Sequence, residues 1–264
     1  MSELLNKTFT LLDLLKPRDG HIEWGAAELA RMAGYNTATT HRILKSLQKY
    51  EMVNQNPQTK KFHLGSALIE LGYLAKDLFS SISDFAKPEM DILFEKTNEG
   101  IHLNILHGQN EAILIDFIES SFRLRVTEQL GLRLPLHVGA VRKVILAYMK
   151  PEEQEKYIAN CNWEARTPNT DTNEKKLREN IADIKAQGFA VSHGETTLGT
   201  VGIAVPIFET DGVVGSLSIV VPDVRANEEI IPEYAALLLQ SAYNISKKMN
   251  GDFWIKHYEL NVTT

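Results

Sequence analysis

The sequence predicts an α+β fold of two domains, a small helical domain followed by a larger domain built from strands and helices. Three observations predict it. Apolar residues recur at helical spacing through the first 50 residues, and strand-like patterns begin at Ile101. Two short apolar runs flank a turn at residues 56–60, which indicates a hairpin at the end of the first domain. With 264 residues, the chain is long enough for two separate cores.

Composition limits the class of protein. Hydrophobic residues make up 44% of the chain and charged residues 23%, which is typical of a soluble globular protein. No apolar run approaches the roughly 20 residues of a membrane span, and no basic-then-apolar leader opens the chain. We therefore expect a cytoplasmic protein with no membrane partner. The single cysteine, Cys161, excludes an intramolecular disulfide and a multi-cysteine metal site.

Two helices are predicted at the start of the chain. The first lies within residues 4–17, where Pro17 follows its end and the apolar stripe consists of Leu5, Phe9 and Leu12. The second is GAAELARMAGY, residues 25–35, whose apolar face consists of Ala26, Leu29, Ala30 and Ala33. Gly34 then allows the tight turn that a helix-turn-helix unit requires.

Residues 36–50, NTATTHRILKSLQKY, predict a third, amphipathic helix. The carboxamide of Asn36 can accept hydrogen bonds from the free amides of the first turn. The predicted buried stripe consists of Thr40, Ile43, Leu44, Leu47 and Tyr50. The opposite face carries Ala38, His41, Arg42, Lys45 and Lys49. Small and polar groups at the start of that face can reach base edges, and the lysines can reach phosphates. In isolation, the same pattern also fits an ordinary surface helix with solvated lysines.

A hairpin is predicted after the third helix. EMVNQ and KFHL read as two short strands around residues 56–60, with Val53, Phe62 and Leu64 pointing inward. Helix, turn, helix and a basic-tipped hairpin together predict a winged helix-turn-helix domain. The charges agree with nucleic-acid contact in this domain alone. Residues 1–65 hold nine Lys or Arg and six Asp or Glu, a net of +3, whereas the remainder carries −9.

The rest of the chain is predicted as a connecting helix and an α+β domain. Residues 66–83 place apolar side chains at helical spacing, namely Leu68, Leu71, Ala75 and Leu78. Asp84 is predicted to cap the next helix, residues 85–98. Strands are predicted at residues 101–108, 111–120, 122–129, 132–137, 188–195, 201–208 and 213–221. Further helices are predicted at residues 139–150, 151–160, 174–187 and 227–249, and Gly188 ends the third of these.

The run ELARMAGYNTATTHRILKSLQKYEMVNQNPQTKKFHLG resembles the DNA-binding signature of the IclR family of bacterial transcription regulators. Its ELA, T-x-HR-x-L-x-x-L and turn-x-x-F-x-LG elements occur in the family's order, and the strand and helix order of the second domain also fits. The resemblance implies a winged helix-turn-helix joined by a helix to a GAF-like α/β effector-binding domain. The implied domains are residues 1–65, the connecting helix 66–83, the effector domain 84–250 and a tail 251–264, which lies outside the family pattern and contains Phe253, Trp254 and Tyr258.

The resemblance also implies a function. We expect a DNA-binding transcriptional regulator that acts as a homodimer or homotetramer on a double-stranded operator and responds to a small-molecule effector, a carboxylate. The expected DNA-binding residues are Thr37, Ala38, Thr39, His41, Arg42, Lys45, Lys60 and Lys61. Whether the protein activates or represses stays open at this point.

The expected effector site begins at residues 134–137, which lead into Gly139 and a predicted helix. Free amides and the positive dipole end at a helix start favour a carboxylate. In the family, the matching loop binds the acid group through backbone N–H groups, which here belong to Ala140 and Val141. The other matching positions are Val126, Leu134, Ser192, Thr200, Gly202, Ser218 and Val220.

This sequence departs from the family pattern at four of these positions. The family often has Ser or Thr at Gly139, Gly at Arg142, Asp at Ser192, and Cys or Ser at Gly202. Gly202 and Ser192 should leave more room and less fixed charge, and Arg142 adds a cation if it does not point to solvent. We therefore expect an effector bulkier than a two- or three-carbon keto acid, either aromatic or a sugar acid.

Catalytic motifs are missing from the sequence. G-x-S-x-G, H-E-x-x-H and C-x-x-C do not occur, and residues 194–199 have the glycines of a phosphate loop but lack the following Lys-Ser/Thr. The eight histidines show no ligand spacing, so we expect no catalytic residues, no metal and no cofactor. The alternative function is a small-molecule-binding enzyme with a fused winged-helix module for protein contact.

Overall fold

The computed structural model of the protein describes residues 2–17, 20–77 and 80–251. Two compact units divide at Ser80 and Ser81, which is inside the predicted connecting segment 66–83. The first unit is helical with one short hairpin, and the second combines helices with a six-stranded sheet. The predicted α+β class, with a helix-turn-helix domain followed by a sheet domain, is therefore confirmed.

The first unit contains four helices and two strands. They are α1 (Glu3–Leu14), α2 (Ala26–Ala33), α3 (Thr37–Lys49), β1 (Val53–Gln55), β2 (Phe62–Leu64) and α4 (Ala67–Asp77). Gly34 ends α2 in the left-handed region at φ 70°, a conformation that costs glycine little. Two residues later, the Asn36 side chain accepts a hydrogen bond of 2.8 Å from the amide of Ala38 and caps α3. A cap and a glycine therefore set the turn between the two helices.

The core of the first unit corrects two of the predicted stripes. It consists of Leu11, Leu15, Trp24, Leu29, Ile43, Leu44, Leu47, Val53 and Phe62. Leu5 and Phe9 are 51% and 65% exposed, because α1 carries apolar residues on more than one face and turns Leu11 inward. Tyr50 is 75% exposed, because α3 ends at Lys49 and the helical period does not continue through its C-cap.

Helix α4 leaves apolar side chains uncovered. Ile69, Leu71, Tyr73 and Leu74 are each more than half exposed. The predicted inward position of Leu71 is thus wrong, and Leu78 lies outside the described residues. An exposed apolar helix of this kind marks a surface suited to a partner.

The second unit is built on one antiparallel sheet with the strand order β5-β4-β3-β8-β7-β6. Its strands are β3 (Gly100–His107), β4 (Glu111–Ile118), β5 (Arg133–Pro135), β6 (Ala190–His193), β7 (Thr200–Glu209) and β8 (Gly212–Pro222). Its helices are α5 (Ser80–Thr97), α6 (Ala140–Tyr148), α7 (Pro151–Ala159), α8 (Glu174–Gln187) and α9 (Ile230–Lys248).

The two faces of this sheet differ in character. Side chains such as Ile101, Leu103 and Ile203 form an apolar core with α5 and α9. The opposite face packs against α6, as Ala204 does, but it also buries polar side chains along β3 and β8. These buried polar residues are His102, Asn104, Ser216 and Ser218. Buried polar groups are normally hydrogen-bonded, so a polar face under α6 indicates a specific role.

Three predictions about this unit were wrong or fall outside it. Residues 122–129 form no strand, because β4 pairs with the short β5 instead and Phe122 and Leu124 stay exposed. Asp84 does not cap α5, because that helix already begins at Ser80. The tail residues Phe253, Trp254 and Tyr258 lie outside the described residues. None of the helices in the described ranges is both long and apolar enough to cross a bilayer.

Candidate functional site

Helix α3 presents an exposed polar face. Thr37, Ala38, His41, Arg42 and Lys45 are exposed, and Thr39 is half-buried. The opposite side of the helix is anchored by its four buried residues, Thr40, Ile43, Leu44 and Leu47. Arg42 borders a groove between α1 and α3 whose other walls include Leu4, Thr8, Ser46 and Tyr50. The side chains predicted to meet DNA therefore share one accessible face.

Lys45 connects this face to the hairpin. Its ammonium donates hydrogen bonds to the side-chain oxygens of Gln48 and Gln55, at 3.0 and 2.8 Å, and lies 5.8 Å from the centre of the Phe62 ring. The His41 ring meets the same Phe62 ring edge-on at 6.2 Å. Helix α3 and the wing thus form one continuous surface.

The wing tip is held by side-chain hydrogen bonds. Asn56 Oδ1 accepts the amides of Gln58 and Thr59, and Lys60 adopts a positive φ of 58°. Glu23 fastens the tip to the loop before α2, because its carboxylate accepts Asn56 Nδ2 at 2.7 Å and the Thr59 hydroxyl at 2.9 Å. These two donors, that of Asn56 first, hold the pKa of Glu23 below its ordinary value. Sequence reasoning missed this tether because Glu23 lies 33 residues before Asn56.

Lys60 and Lys61 stand exposed at this tip. Their backbones are fixed, since Lys60 donates its amide to the Asn56 carbonyl and Gln55 Nε2 donates to the Lys60 carbonyl at 2.7 Å. A rigid tip with two free cationic side chains is suited to phosphate contact.

The second candidate site lies at the start of α6. Gly139 is its N-cap at φ 76° and donates its own amide to Glu195 Oε2 at 3.2 Å. The Gly139 carbonyl accepts the amides of Arg142 and Lys143. Within the described residues, the amides of Ala140 and Val141 have no acceptor. Two free donors at the positive end of a helix favour an anion.

The sheet brings three of the predicted effector residues into one row. Ser192 of β6, Gly202 of β7 and Val220 of β8 are cross-strand partners in register. A Cβ on Gly202 would lie 3.3 Å from Ser192 Oγ and 3.8 Å from Ala140 Cβ. The row is therefore directly under the first turn of α6, and the missing side chain of Gly202 leaves space there.

The remaining predicted effector residues lie at different distances from this row. Ser218 is fully buried one pair along β8, and its hydroxyl donates to the His102 carbonyl at 3.4 Å. Thr200 lies at the end of β7 and donates to the Thr197 carbonyl. Val126 belongs to the irregular segment 119–132, and Leu134 lies in β5, four strands from β7 in the sheet order.

Arg142 points into the protein and not to solvent. It is 1% exposed, and its Nη1 lies 4.0 Å from where a Cβ on Gly139 would be. Its Nε and Nη2 have no hydrogen-bond partner, and it forms no ion pair with any of the described residues. Burial lowers the pKa of Arg142 to about 10, against the attraction of Glu128. A buried guanidinium without a counterion is costly unless a ligand completes it.

The neighbour of Arg142 on the helix is fully paired. Lys143 is 2% exposed and donates hydrogen bonds to Asp171 and, at 2.8 Å, to Glu195. Asp171 also accepts from Asn180 at 2.6 Å and pairs with Lys176. Because Glu195 holds the Gly139 amide as well, this network fixes the loop around residues 194–199 to the start of α6.

A separate cleft of about 450 Å³ lies at the β3–β4 hairpin and is lined by residues that include His107, Tyr157 and Cys161. Cys161 Sγ is 3.4 Å from His137 Nδ1, but burial raises the pKa of its thiol, which keeps it a poor nucleophile. No residue lining this cleft has a buried polar atom without a partner within the described ranges. The Arg142 compartment is therefore the better candidate, and the described residues contain no cluster arranged to hold a metal ion.

Comparison with known proteins identifies this combination of domains. Residues 79–247 match the family model of the bacterial transcriptional regulator IclR C-terminal domain, which is more than half of the chain. Residues 4–57 match the IclR helix-turn-helix domain. The chain is a member of the IclR family.

Individual relatives agree with the family assignment. The chain is similar to the HTH-type transcriptional regulator KdgR of Escherichia coli, with 32% identity over 86% of each protein. The crystal structure of the Thermotoga maritima IclR is 29% identical, has a TM-score of 0.74 and covers 93% of this chain and 98% of its own. An IclR homolog from Microbacterium hydrocarbonoxydans, complexed with 4-hydroxybenzoate, shares the fold at 23% identity and a TM-score of 0.76 over 94% and 99% of the two chains.

Membership in the IclR family establishes the general function. The protein is a DNA-binding transcriptional regulator, with an N-terminal helix-turn-helix for DNA and a C-terminal domain of the kind that binds small-molecule effectors. The matching relatives are regulators, so the alternative of an enzyme with a fused winged helix is not supported.

Proposed function

We propose that this regulator releases or engages its operator in response to a carboxylate bound at the start of α6. The observation that carries the proposal is Arg142, a fully buried guanidinium without a counterion beside the free amides of Ala140 and Val141. A carboxylate satisfies both kinds of donor at once, because each of its oxygens accepts more than one hydrogen bond. The space left at Gly202 suits an acid larger than pyruvate.

The effector acts by favouring one arrangement of the two-domain chain over another. Only a ligand with different affinities for the two arrangements can shift their balance, and coupling of this kind is typically about 1–3 kcal/mol. The protein works in the cytoplasm, where operator and metabolite meet. Its function is carried by a homodimer or a homotetramer, and the exposed apolar side chains of α4, such as Ile69 and Tyr73, support an interface between copies.

The test of the effector proposal is a thermal-shift screen of the purified protein against carboxylic acids and their neutral amides. We expect at least one acid to raise the melting temperature and to change operator affinity, while its amide does neither, because an amide cannot neutralise Arg142. The proposal is wrong if acids and amides act alike, or if the stabilising ligand still binds an Arg142→Met variant.

On the DNA side, we propose that Arg42 reads a base and that Lys60 and Lys61 contact phosphates. Arg42→Ala should cost about 1–3 kcal/mol for the preferred base pair if its guanidinium forks onto a guanine. Lys60→Ala should weaken binding to all sequences alike and flatten the salt dependence. Binding titrations on matched and mutated operators at several salt concentrations separate the two effects. Equal losses of specific and nonspecific affinity in Arg42→Ala would remove the base contact from this proposal.

The operator should be partly palindromic. One α3 helix reads only a few base pairs, so a second copy is needed for specificity. We expect half-sites whose centres lie about one turn of DNA apart, roughly 34–36 Å, or a multiple of that spacing. Footprinting checks this expectation, and a single protected half-site would contradict the symmetric assembly.

A further inference from the structure

The polar atoms left without partners in the second unit are concentrated in one place. Among the described residues, they include Nε and Nη2 of Arg142, Nδ1 of His102 and Oδ1 of Asn104. All three residues are 1% exposed. His102 and Asn104 are alternate residues of β3 on the sheet face that packs against α6, and Arg142 belongs to α6. Buried polar groups are nearly always satisfied, so this cluster marks a ligand and not an accident of packing.

The unsatisfied set contains acceptors as well as donors. Asn104 Oδ1 can only accept a hydrogen bond, and the nearby Glu128 carboxylate also accepts only when it is ionised. A carboxylate would satisfy Arg142 but would repel both of these oxygens. The ligand must therefore bring a donor to this part of the compartment in addition to its acid group.

The spacing between His102 and Glu128 points to the same conclusion. His102 Nδ1 lies 3.9 Å from Glu128 Oε2, which is too long for a direct hydrogen bond. Burial lowers the pKa of His102, so the ring is neutral and offers one donor and one acceptor. A hydroxyl group is the simplest group that can donate to one of these residues and accept from another.

The compartment also has room beyond the acid group. Gly202 and Gly100 lie on either side of Val220 in the same cross-strand row, and neither fills the space above the sheet. A Cβ on Gly100 would lie 3.5 Å from His102 Nε2, so the imidazole borders this row directly. The row connects the free amides of α6 to the polar residues of β3.

We propose that the effector is a hydroxylated aliphatic carboxylic acid, whose acid group meets Arg142 and the first amides of α6 and whose hydroxyl groups meet His102, Asn104 and Glu128. This inference rests on the proposed effector site and adds the chemical class of its ligand. It separates sugar-acid-like ligands from benzoates and simple fatty acids, which carry no aliphatic hydroxyl for these acceptors.

The test compares acids matched in carbon skeleton. The pairs are gluconate with hexanoate, glycerate with propionate, and galacturonate with cyclohexanecarboxylate, each titrated against the full chain by calorimetry. We expect the hydroxylated member of at least one pair to bind at least tenfold more tightly than its partner. The inference is overturned if a deoxygenated acid binds as tightly as its hydroxylated partner, or if only deoxygenated acids bind.

Variants connect that preference to the named residues. Asn104→Leu, which has a similar volume and removes the acceptor, should reduce the preference to below about threefold, since one unpaired hydrogen bond is enough to account for such a loss. Ser216→Ala is the matched control, because Ser216 lies on the same buried face but already donates to the Val141 carbonyl at 2.9 Å. It should retain the preference. An equal loss in both variants would contradict the assignment to Asn104.

A measurement on the free protein separates failure of this inference from failure of the effector site. Arg142→Met removes the uncompensated charge and should raise the melting temperature of the unliganded protein by about 2–4 °C. If Arg142→Met instead lowers the melting temperature and no acid binds the wild type, the proposed effector site itself is wrong. If the variant is more stable and acids bind without regard to hydroxyl groups, only the hydroxylated class is wrong.

Discussion

Gly202→Leu will abolish the response to effector and leave operator binding by the free protein intact. The reason is spatial, because a Cβ at this position already lies 3.3 Å from Ser192 Oγ and 3.8 Å from Ala140 Cβ. Three further carbons of leucine have to occupy the space beneath the first turn of α6, and packed walls accommodate little added volume. We expect effector affinity to fall more than tenfold, which corresponds to over about 1.4 kcal/mol.

Operator affinity of the same variant should stay within about twofold of wild type. Gly202 and the recognition helix α3 belong to different units, and substitutions at separate sites act nearly independently. The measurement is a titration of the operator complex with effector, alongside circular dichroism to confirm folding. Gly202→Ala is the matched control, since its Cβ needs the Ser192 hydroxyl to move by only a few tenths of an ångström. A folded Gly202→Leu protein that responds as wild type does would place the effector elsewhere.

The elements of the first unit could be predicted from the sequence because their signals are local. Asn36, Gly34 and the apolar period between Thr40 and Leu47 predicted α3 within one residue at each end. Helix α8 was predicted with its exact bounds for the same reason, since Asn173 caps it and Gly188 ends it in the left-handed region. Local caps act over three or four residues, which a sequence displays directly.

Predictions failed where several faces competed for burial. Helix α1 has apolar residues on more than one side, and only tertiary contact decides that Leu11 and not Phe9 is buried. Residues 122–129 alternate like a strand, but pairing is decided by the neighbouring β4, whose edge is taken by β5. Burial of this kind depends on partners distant in sequence and has no local signature.

The candidate effector site was only partly accessible to sequence reasoning. The free amides of Ala140 and Val141 follow from a helix start, whereas the burial of Arg142 beside His102 depends on how α6 lies on the sheet. The partners of Lys143 are 28 and 52 residues away, so no motif connects them. Two adjacent cations on one short helix therefore have different roles. Lys143 is satisfied by the protein, and Arg142 is left for a ligand.

That difference leads to a strong expectation for stability, in which Lys143→Met should cost about 3–5 kcal/mol at neutral pH. The substitution removes the ammonium that two buried carboxylates share, those of Asp171 and Glu195, whose side chains are 4% and 8% exposed. Asp171 retains Asn180 and Lys176, but Glu195 retains only the Gly139 amide. Urea unfolding followed by circular dichroism measures the loss. Lys176→Met is the matched control, because Lys176 pairs with the same Asp171 from a 62% exposed position and should cost only about 0–1 kcal/mol.

The destabilisation should also shrink in acid, which distinguishes a lost ion pair from lost packing. In the wild type, burial raises the pKa of Asp171, but hydrogen bonds from Lys143 and Lys176 outweigh it and hold the value below normal. This carboxylate therefore contributes stability above its unfolded pKa, and the contribution is lost as pH falls through its folded pKa. Without Lys143, burial dominates at Glu195, the folded state binds protons more readily than the unfolded one, and stability recovers as pH falls toward about 4. The difference between wild type and Lys143→Met should therefore be largest near pH 7. A difference that stays constant down to about pH 4 would show that Lys143 acts through packing and not through its charge.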